Sequence, residues 1–363
     1  MNILYISAKR GWGGVATWMW RTAAGLEARG HRVWIVSHPA SPFTLAAAPS
    51  VRVIPKRLGM DFNPLAVAFL VRLIRRHGIA VVVTNIRKEV LAGGLAARIS
   101  GIPNVRRVGS ELDLNPRVRW TQQHLVDHTI VPADAVLRNA MAASPWIDPG
   151  KVTTIYNGRN PVAFTSDEVA AQRRAWGLTG EHLVIGATGQ LAAVKGLADL
   201  VSAFARLSAG GPQLRLVLAG EGPDRQDLER LARRLGVADR VVFAGFSHEP
   251  IKAAAAFDIA VLNSSAEGFP NVLVEYFAAA RPVVTTGVGG VRELVADGEN
   301  GLVVRPGAAD DLVAALGRLA ADPSLRQRLG RAARDTLRTR FSEDRMISDL
   351  ENLLMKIAGA RRA

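Results

Sequence analysis

The sequence predicts an α/β protein with two doubly wound parallel sheets, each covered by helices on its faces. Three observations carry that expectation. Short apolar runs rich in Val, Ile and Leu alternate with helix-length stretches along most of the 363 residues. Glycines stand at strand-to-helix joins, as in Gly11-Trp12-Gly13-Gly14, where the backbone must turn sharply. The length is also enough for two cores.

The first domain begins with strand 2–7 (NILYIS), the glycine turn, a helix from 15 to about 29, Gly30 as its stop and a second strand, HRVWIVS. Trp12, Trp18 and Trp20 cluster here as candidates either for a binding surface or for packing. Further strands are expected at 51–55, 79–85, 104–109 and 128–132. Helices fall between them at about 64–77, 88–100, 118–126 and 134–142. Pro49, Pro103 and Pro132 sit at strand edges, where a missing amide is tolerated. The stretch 151–164 closes the domain with an apolar strand and the turn pair Asn157-Gly158, placing the boundary near residue 163.

The second domain, 164–341, starts with a connecting helix (166–176) and strand 182–189. The turn Gln190-Leu191-Ala192-Ala193-Val194-Lys195-Gly196 then opens a helix to about 207. The stretch 214–246 gives strand, Gly-Glu-Gly turn, charged helix (224–235) and strand. That helix carries acidic residues first and arginines later, matching its dipole. Helices follow at 309–321 and 323–340, and a last one from 342 to about 357.

Net charge is +14, and it is lopsided. Residues 1–165 hold 21 Lys and Arg against 8 Asp and Glu, or +13; residues 166–363 hold 25 against 24, or +1. The basic half is expected to meet an anionic partner. Its cations are not interleaved with aromatic platforms, so nucleic acid is not the expected one. The anionic face of a membrane fits better: PLAVAFLVRLIRRHG (64–78) reads as an amphipathic helix ending in Arg72, Arg75 and Arg76, or as an ordinary surface helix. There is no cysteine, which rules out disulfides and thiolate metal sites. The first residues do not read as a signal peptide, and no uncharged apolar run spans a bilayer. A cytoplasmic or peripheral protein is expected.

The stretch 257–307 organises the rest. A buried strand, 259–262, leads through Glu267-Gly268-Phe269-Pro270-Asn271 into a helix to about 280 and a second strand, 282–285. Ligands bind such βαβ units where strand C-termini meet helix N-termini. Glu275 lies within VLVEYFAAA, among apolar neighbours. A buried carboxylate needs donors, and a vicinal diol such as a ribose supplies two. The alternative is a half-exposed helix residue paired with an arginine.

EGFPNVLVEYFAAARPVVTTGVGGVRELV resembles the donor-site signature of the retaining GT-B glycosyltransferases of family 4. The likeness runs through 151–164 and 182–246 as well. It implies two Rossmann-like domains facing a central cleft, with the C-terminal helix (about 342–363) crossing back to the first. It implies that Glu275 binds the ribose of a nucleotide sugar and that Glu267 works beside the transferred sugar. Backbone amides of Gly268, Phe269, Pro270 (through its neighbours), Asn271 and Val272 would hold sugar hydroxyls and phosphate. Gly13 and Gly14 would lie near the donor diphosphate, and backbone around Phe246 would face the base. The co-substrate would be a UDP- or GDP-sugar and the acceptor a cell-envelope glycan or glycolipid. No metal or other cofactor is implied, in keeping with the lack of an Asp-x-Asp sequence.

Two positions depart from the family pattern. The diphosphate clamp has its lysine, Lys195, but Gln190 replaces the usual arginine and removes one cation. The turn after strand 104–109, where many members carry a histidine, reads Gly109-Ser110-Glu111-Leu112-Asp113. Asp113 and Glu111 are then the residues placed to touch an acceptor hydroxyl, and one of Arg106 and Arg107 could meet an anionic acceptor. These departures keep a second reading alive, a GT-B protein that binds a nucleotide or glycan without turnover.

Overall fold

The structure, a computed structural model, describes residues 1–11, 13–41, 43, 51–59, 63–109, 116–208 and 213–360. The chain forms two compact units, Met1–Asn157 with Glu343–Ala363, and Gly158–Ser342.

In the first unit the order is β1 (Asn2–Ser7), α1 (Gly14–Ala28), β2 (Arg32–Ser37), β3 (Arg52–Pro55), α2 (Pro64–His77), β4 (Val81–Thr84), α3 (Arg87–Ile99), β5 (Asn104–Arg107), α4 (Pro116–Leu125), β6 (His128–Val131), α5 (Asp134–Ala143) and β7 (Val152–Thr154). All seven strands are parallel, ordered β3-β2-β1-β4-β5-β6-β7. Alternation along the strands sorts the core into two faces. Ile3, Tyr5, Val33, Ile35, Val81 and Val83 pack on α1, while Leu4, Ile6, Trp34, Val36 and Val82 pack on α2 and α3.

The second unit runs α6 (Ser166–Ala175), β8 (Leu183–Thr188), α7 (Leu197–Ser208), β9 (Leu214–Ala219), α8 (Arg225–Arg234), β10 (Val241–Phe243), α9 (Pro250–Ala255), β11 (Ile259–Leu262), α10 (Asn271–Ala278), β12 (Val283–Thr286), α11 (Val291–Leu294), β13 (Leu302–Val304), α12 (Ala309–Ala321) and α13 (Pro323–Arg340). Its parallel sheet is ordered β10-β9-β8-β11-β12-β13. Ile185, Leu216, Ile259, Val261 and Val284 bury one face against α7, α8 and α12. The final helix, α14 (Glu343–Ala360), belongs to the first unit, where Met346, Ile347, Leu350 and Leu354 join the α1 face of the core.

Both units are thus doubly wound and Rossmann-like, the α/β class read from the sequence. The changeover differs from the one expected near residue 163. Gly158 already belongs to the second unit, because Arg159 N donates to Phe341 O and Val162 N donates to Ala278 O. The strand β13 and the short helix α11 were not read, being only three and four residues long. The helix carrying Glu275 ends at Ala278 rather than 280. Ala280 adopts φ +55 and closes the helix with a left-handed turn, in which Arg281 N donates to Tyr276 O.

Candidate functional site

In a doubly wound sheet the natural ligand site is the point where strand order reverses. In the second unit that point lies between β8 and β11. The turn after β8 carries Gln190 and Lys195, and the turn after β11 carries Glu267 and runs into α10, which bears Glu275. Sequence separations of seventy or more residues are closed here by two neighbouring strands.

Lys195 and Glu267 meet directly. The ammonium Nζ donates to Glu267 Oε1 at 2.7 Å, and Ser264 Oγ donates to the same oxygen at 2.6 Å. Thr286 Oγ1, at the end of β12, donates to Ser264 O and fixes that residue. The lysine turn is stitched in place from the other side: Ser265 N donates to Val194 O at 2.8 Å, and Asn263 Nδ2 donates to Gly196 O at 3.0 Å. Gly196 has φ +59, and a Cβ there would stand 2.2 Å from Asn263 O. Only glycine permits this approach, and the approach aims Lys195 at the carboxylate. The Glu267 turn has a similar dependence on Gly289, at φ +51, whose added Cβ would meet Glu267 O at 1.7 Å. Gly290 N donates to Gly268 O at 2.9 Å beside it. The Gly-Gly pair of the sequence motif is therefore the bed on which the Glu267 loop lies.

Glu275 is buried at 9 % exposure, on the second turn of α10. Arg159 Nη2 stands 3.4 Å from its Oε1, and Arg159 Nη1 is buried with no hydrogen-bond partner among the described residues. Both expectations for Glu275 are met in part: it is sunk in the core, and an arginine accompanies it. Sequence reasoning missed Arg159, which lies 116 positions away. It also missed Tyr276, whose hydroxyl accepts from Thr188 N at 2.8 Å and donates to Val261 O, tying α10 to β8 and β11. Burial drives the Tyr276 pKa well above its ordinary value, so the phenol stays neutral.

The remaining predicted residues divide. The helix α10 begins after Pro270, whose ring offers no side-chain cap. Gly268, Asn271 and Val272 are partly exposed there, while Phe269 and Pro270 are buried, Phe269 against Phe341. Gln190 is exposed in the turn after β8, next to Gly189, which borders the Val272 side chain. Phe246 is 64 % exposed beyond β10, two strands from the reversal point, where its ring meets His248 edge-on. Among the described residues no group of His, Asp and Glu side chains could hold a metal ion.

Gly13 and Gly14 begin α1 of the first unit, Gly13 in extended backbone with open space around it. Asp113 and Glu111 lie outside the described residues, as does Trp12. Trp18 is buried, stacked on Tyr5 and under the Arg107 guanidinium, and Trp20 packs on Phe43; both serve the core. Arg106 and Arg107 are both buried, which corrects the expectation that one of them offers itself to an acceptor. Arg106 binds Asn85 O and Gln122 Oε1, Arg107 binds Asn157 Oδ1, and burial lowers the Arg107 pKa to about 10.

Basic residues also follow the strand ends of this sheet. The ends of β1, β2, β3 and β4 are followed by Lys9-Arg10, His38, Lys56-Arg57 and Arg87-Lys88. Partial burial, then the charges of Arg10, Arg57 and Lys88, hold the His38 imidazole below its ordinary pKa. The described carboxylate at this edge, Glu89, is closed off by Ala8 N, Asn85 N, Asn85 Nδ2 and Ile86 N at 2.6–3.2 Å. The three dibasic pairs were visible in the sequence, but only the strand order sets them side by side.

Known proteins align with both units. The family model described as Glycosyl transferases group 1 matches residues 168–336, and the Glycosyltransferase Family 4 model matches residues 12–162. The chain is 37 % identical over 180 residues to the lipopolysaccharide core biosynthesis glycosyltransferase LpsE of Rhizobium meliloti, covering 50 % of this chain and 52 % of that one. It is 30 % identical over 260 residues to the alpha-D-kanosaminyltransferase of Streptomyces kanamyceticus, covering 66 % and 67 %. The match thus spans about half the length of LpsE and two thirds of the other relative. Among solved structures, HepE of Anabaena in complex with UDP superposes with a TM-score of 0.85 at 22 % identity, over 98 % of this chain and 100 % of that one. A glycosyltransferase of Rickettsia africae superposes with 0.89 at 18 %, over 98 % of each. These structural likenesses establish the fold.

Proposed function

The chain belongs to glycosyltransferase family 4, the group 1 glycosyl transferases, and we propose that it moves a sugar, with retention, from a UDP- or GDP-sugar to a cell-envelope glycan or glycolipid. The Lys195–Glu267 pair at the strand reversal, in the turns that lead into α7 and α10, is the observation that supports this most directly.

In this reading the Lys195 ammonium and the α10 amides balance the charge that develops on the departing diphosphate, with no metal ion taking part. Glu275 accepts hydrogen bonds from the ribose hydroxyls, and Arg159 stands beside the carboxylate as its opposite charge. Glu267 is held by Lys195 and Ser264 beside the transferred sugar. The acceptor hydroxyl attacks from the face the diphosphate leaves, and a phosphate oxygen takes its proton. Phe246, two strands over, is about 10 Å along the sheet edge, which suits a base at the far end of the nucleotide. HepE in complex with UDP, and the core glycosyltransferases of Rhizobium meliloti, lend support to the donor and acceptor classes. The basic edge of the first unit favours an acceptor bearing phosphate or carboxylate groups.

The test is a panel of nucleotide sugars scored first for thermal stabilisation and then for transfer. UDP- or GDP-sugars should raise the melting temperature, and Glu275→Ala should abolish the rise. A second reading, binding without turnover, is favoured by Gln190, which leaves Lys195 as the lone cation of the expected clamp. It would be upheld if a stabilising nucleotide sugar gave neither transfer nor hydrolysis with any phosphorylated or neutral glycan acceptor.

A further inference from the structure

Within the first unit, hydrogen bonds stitch together the C-terminal ends of the adjacent strands β3, β2, β1 and β4. Lys56 N donates to Ser37 O at 2.7 Å and His38 N to Ser7 O at 3.1 Å, while Ala8 N donates to Glu89 Oε1 at 2.6 Å. Three of these turns carry a cation within two residues of the stitch: Arg57 after β3, Arg10 after β1 and Lys88 at the start of α3.

His38 stands among them. Ala40 N donates to its Nδ1 at 3.1 Å, so the neutral ring carries its proton on Nε2. The charges of Arg10, Arg57 and Lys88 all reach this imidazole and disfavour a second proton on it. Among the described residues no carboxylate pairs with any of the three. Glu89, the described carboxylate at this edge, is 1 % exposed and already accepts from three backbone amides and the Asn85 amide. Lys56 is set apart, its Nζ lying over the Phe69 ring. Cations gathered around one neutral donor repel one another, and an anion placed between them relieves the repulsion.

We propose that this edge binds a phosphomonoester carried by the acceptor, with Arg10, Arg57 and Lys88 on its oxygens and His38 Nε2–H donating to one of them. A phosphomonoester brings about two negative charges and three acceptor oxygens at neutral pH. A carboxylate brings a single charge and two oxygens in one plane, a poorer match for donors that come from four separate turns. Placing the phosphate on the acceptor rests on the transfer reaction proposed above; its binding at this edge does not.

The experiment is titration calorimetry of the full chain with glucose 6-phosphate, glucuronic acid and glucose. The phosphate ester should bind, glucuronic acid roughly tenfold more weakly, and glucose not at all. Arg57→Ala and Lys88→Ala should each weaken the phosphate ester by roughly tenfold, the scale of one hydrogen bond to a charged group. His38→Ala should weaken it several-fold, and His38→Gln, which keeps a donor nitrogen, should restore most of that loss. Arg32 begins β2 and Lys151 precedes β7, both exposed at the opposite strand ends. Arg32→Ala with Lys151→Ala should change the affinity by less than about twofold, because distant charges are screened. None of these variants should alter the thermal stabilisation given by a nucleotide sugar. Wild-type affinity in the R57A/K88A double variant, equal affinity for glucuronic acid, or displacement of glucose 6-phosphate by UDP or GDP would each overturn the proposal. Binding that passes those tests while no nucleotide sugar raises the melting temperature would uphold the site and overturn the transferase reading instead.

Discussion

Lys195 Nζ lies 2.7 Å from Glu267 Oε1, so the cation and the carboxylate of the site hold each other while their backbones stand in the turns that follow two separate strands. Each side chain is only partly covered, at 24 % and 11 % exposure, and Ser264 supplies the other contact to the carboxylate oxygen.

Lys195→Ala should lower kcat/KM for sugar transfer by about 10²–10³-fold, the usual cost of deleting one stabiliser of developing charge. Glu267→Ala should lower kcat with little change in nucleotide affinity. Steady-state kinetics with titration calorimetry for the nucleotide separates the two. Equal losses of affinity in both variants would argue that the pair acts only in binding.

Arg159→Ala should weaken nucleotide binding as Glu275→Ala does, and also cost about 1–3 kcal/mol of stability, because it leaves a buried carboxylate without its cation. Urea denaturation reads the stability and calorimetry the binding. Nucleotide affinity unchanged in Glu275→Ala would remove the ribose assignment.

Gly289→Ala should both destabilise the second unit by several kcal/mol and abolish turnover. A Cβ there would overlap the Glu267 carbonyl, and the backbone already sits at φ +51. Far-ultraviolet melting with a transfer assay checks it, and a stable, active variant would show that the loop has another way to lie.

Ala280→Gly should stabilise the protein by about 1 kcal/mol. The residue occupies the left-handed region, which costs an alanine roughly that much and a glycine almost nothing. The gain should appear as a higher midpoint in denaturant at unchanged slope.

The docking of α14 on α1 should weaken in acid. His31 and Arg29 bind the Glu351 carboxylate and hold its pKa below the ordinary 4.5. A carboxylate with a depressed folded pKa contributes stability above its unfolded value and loses it as pH falls through the folded one. The loss is therefore expected below about pH 4.5. Glu351→Gln should be less stable than wild type at neutral pH and show a flatter decline in acid, measured as denaturant midpoint against pH.

How much of this was legible varies by element. The strands 2–7 and 214–219 read directly, since buried parallel strands are continuous apolar runs. The short β13 and α11 did not, because three or four residues carry no period. Glu267, Glu275 and Lys195 could be singled out as candidates because each lies within one linear motif or turn that carries the family resemblance. Arg159 and Tyr276 were not, because neither the arginine's partner nor the tyrosine's hydroxyl contacts are near them in the chain. Arg106 and Arg107 misled for the opposite reason: alternation decides which face a strand residue takes, but here both faces are buried.

Taken alone, the amino-acid order determined the two doubly wound units and the turns that carry the candidate side chains. Those follow from hydrophobic period and glycine placement, which act over a few residues at a time. Only the tertiary structure decided which charges meet: that Lys195 closes on Glu267, that Arg159 accompanies Glu275, and that three dibasic strand ends lie along one edge. Electrostatic partnership depends on distance in space, and strand order sets that distance.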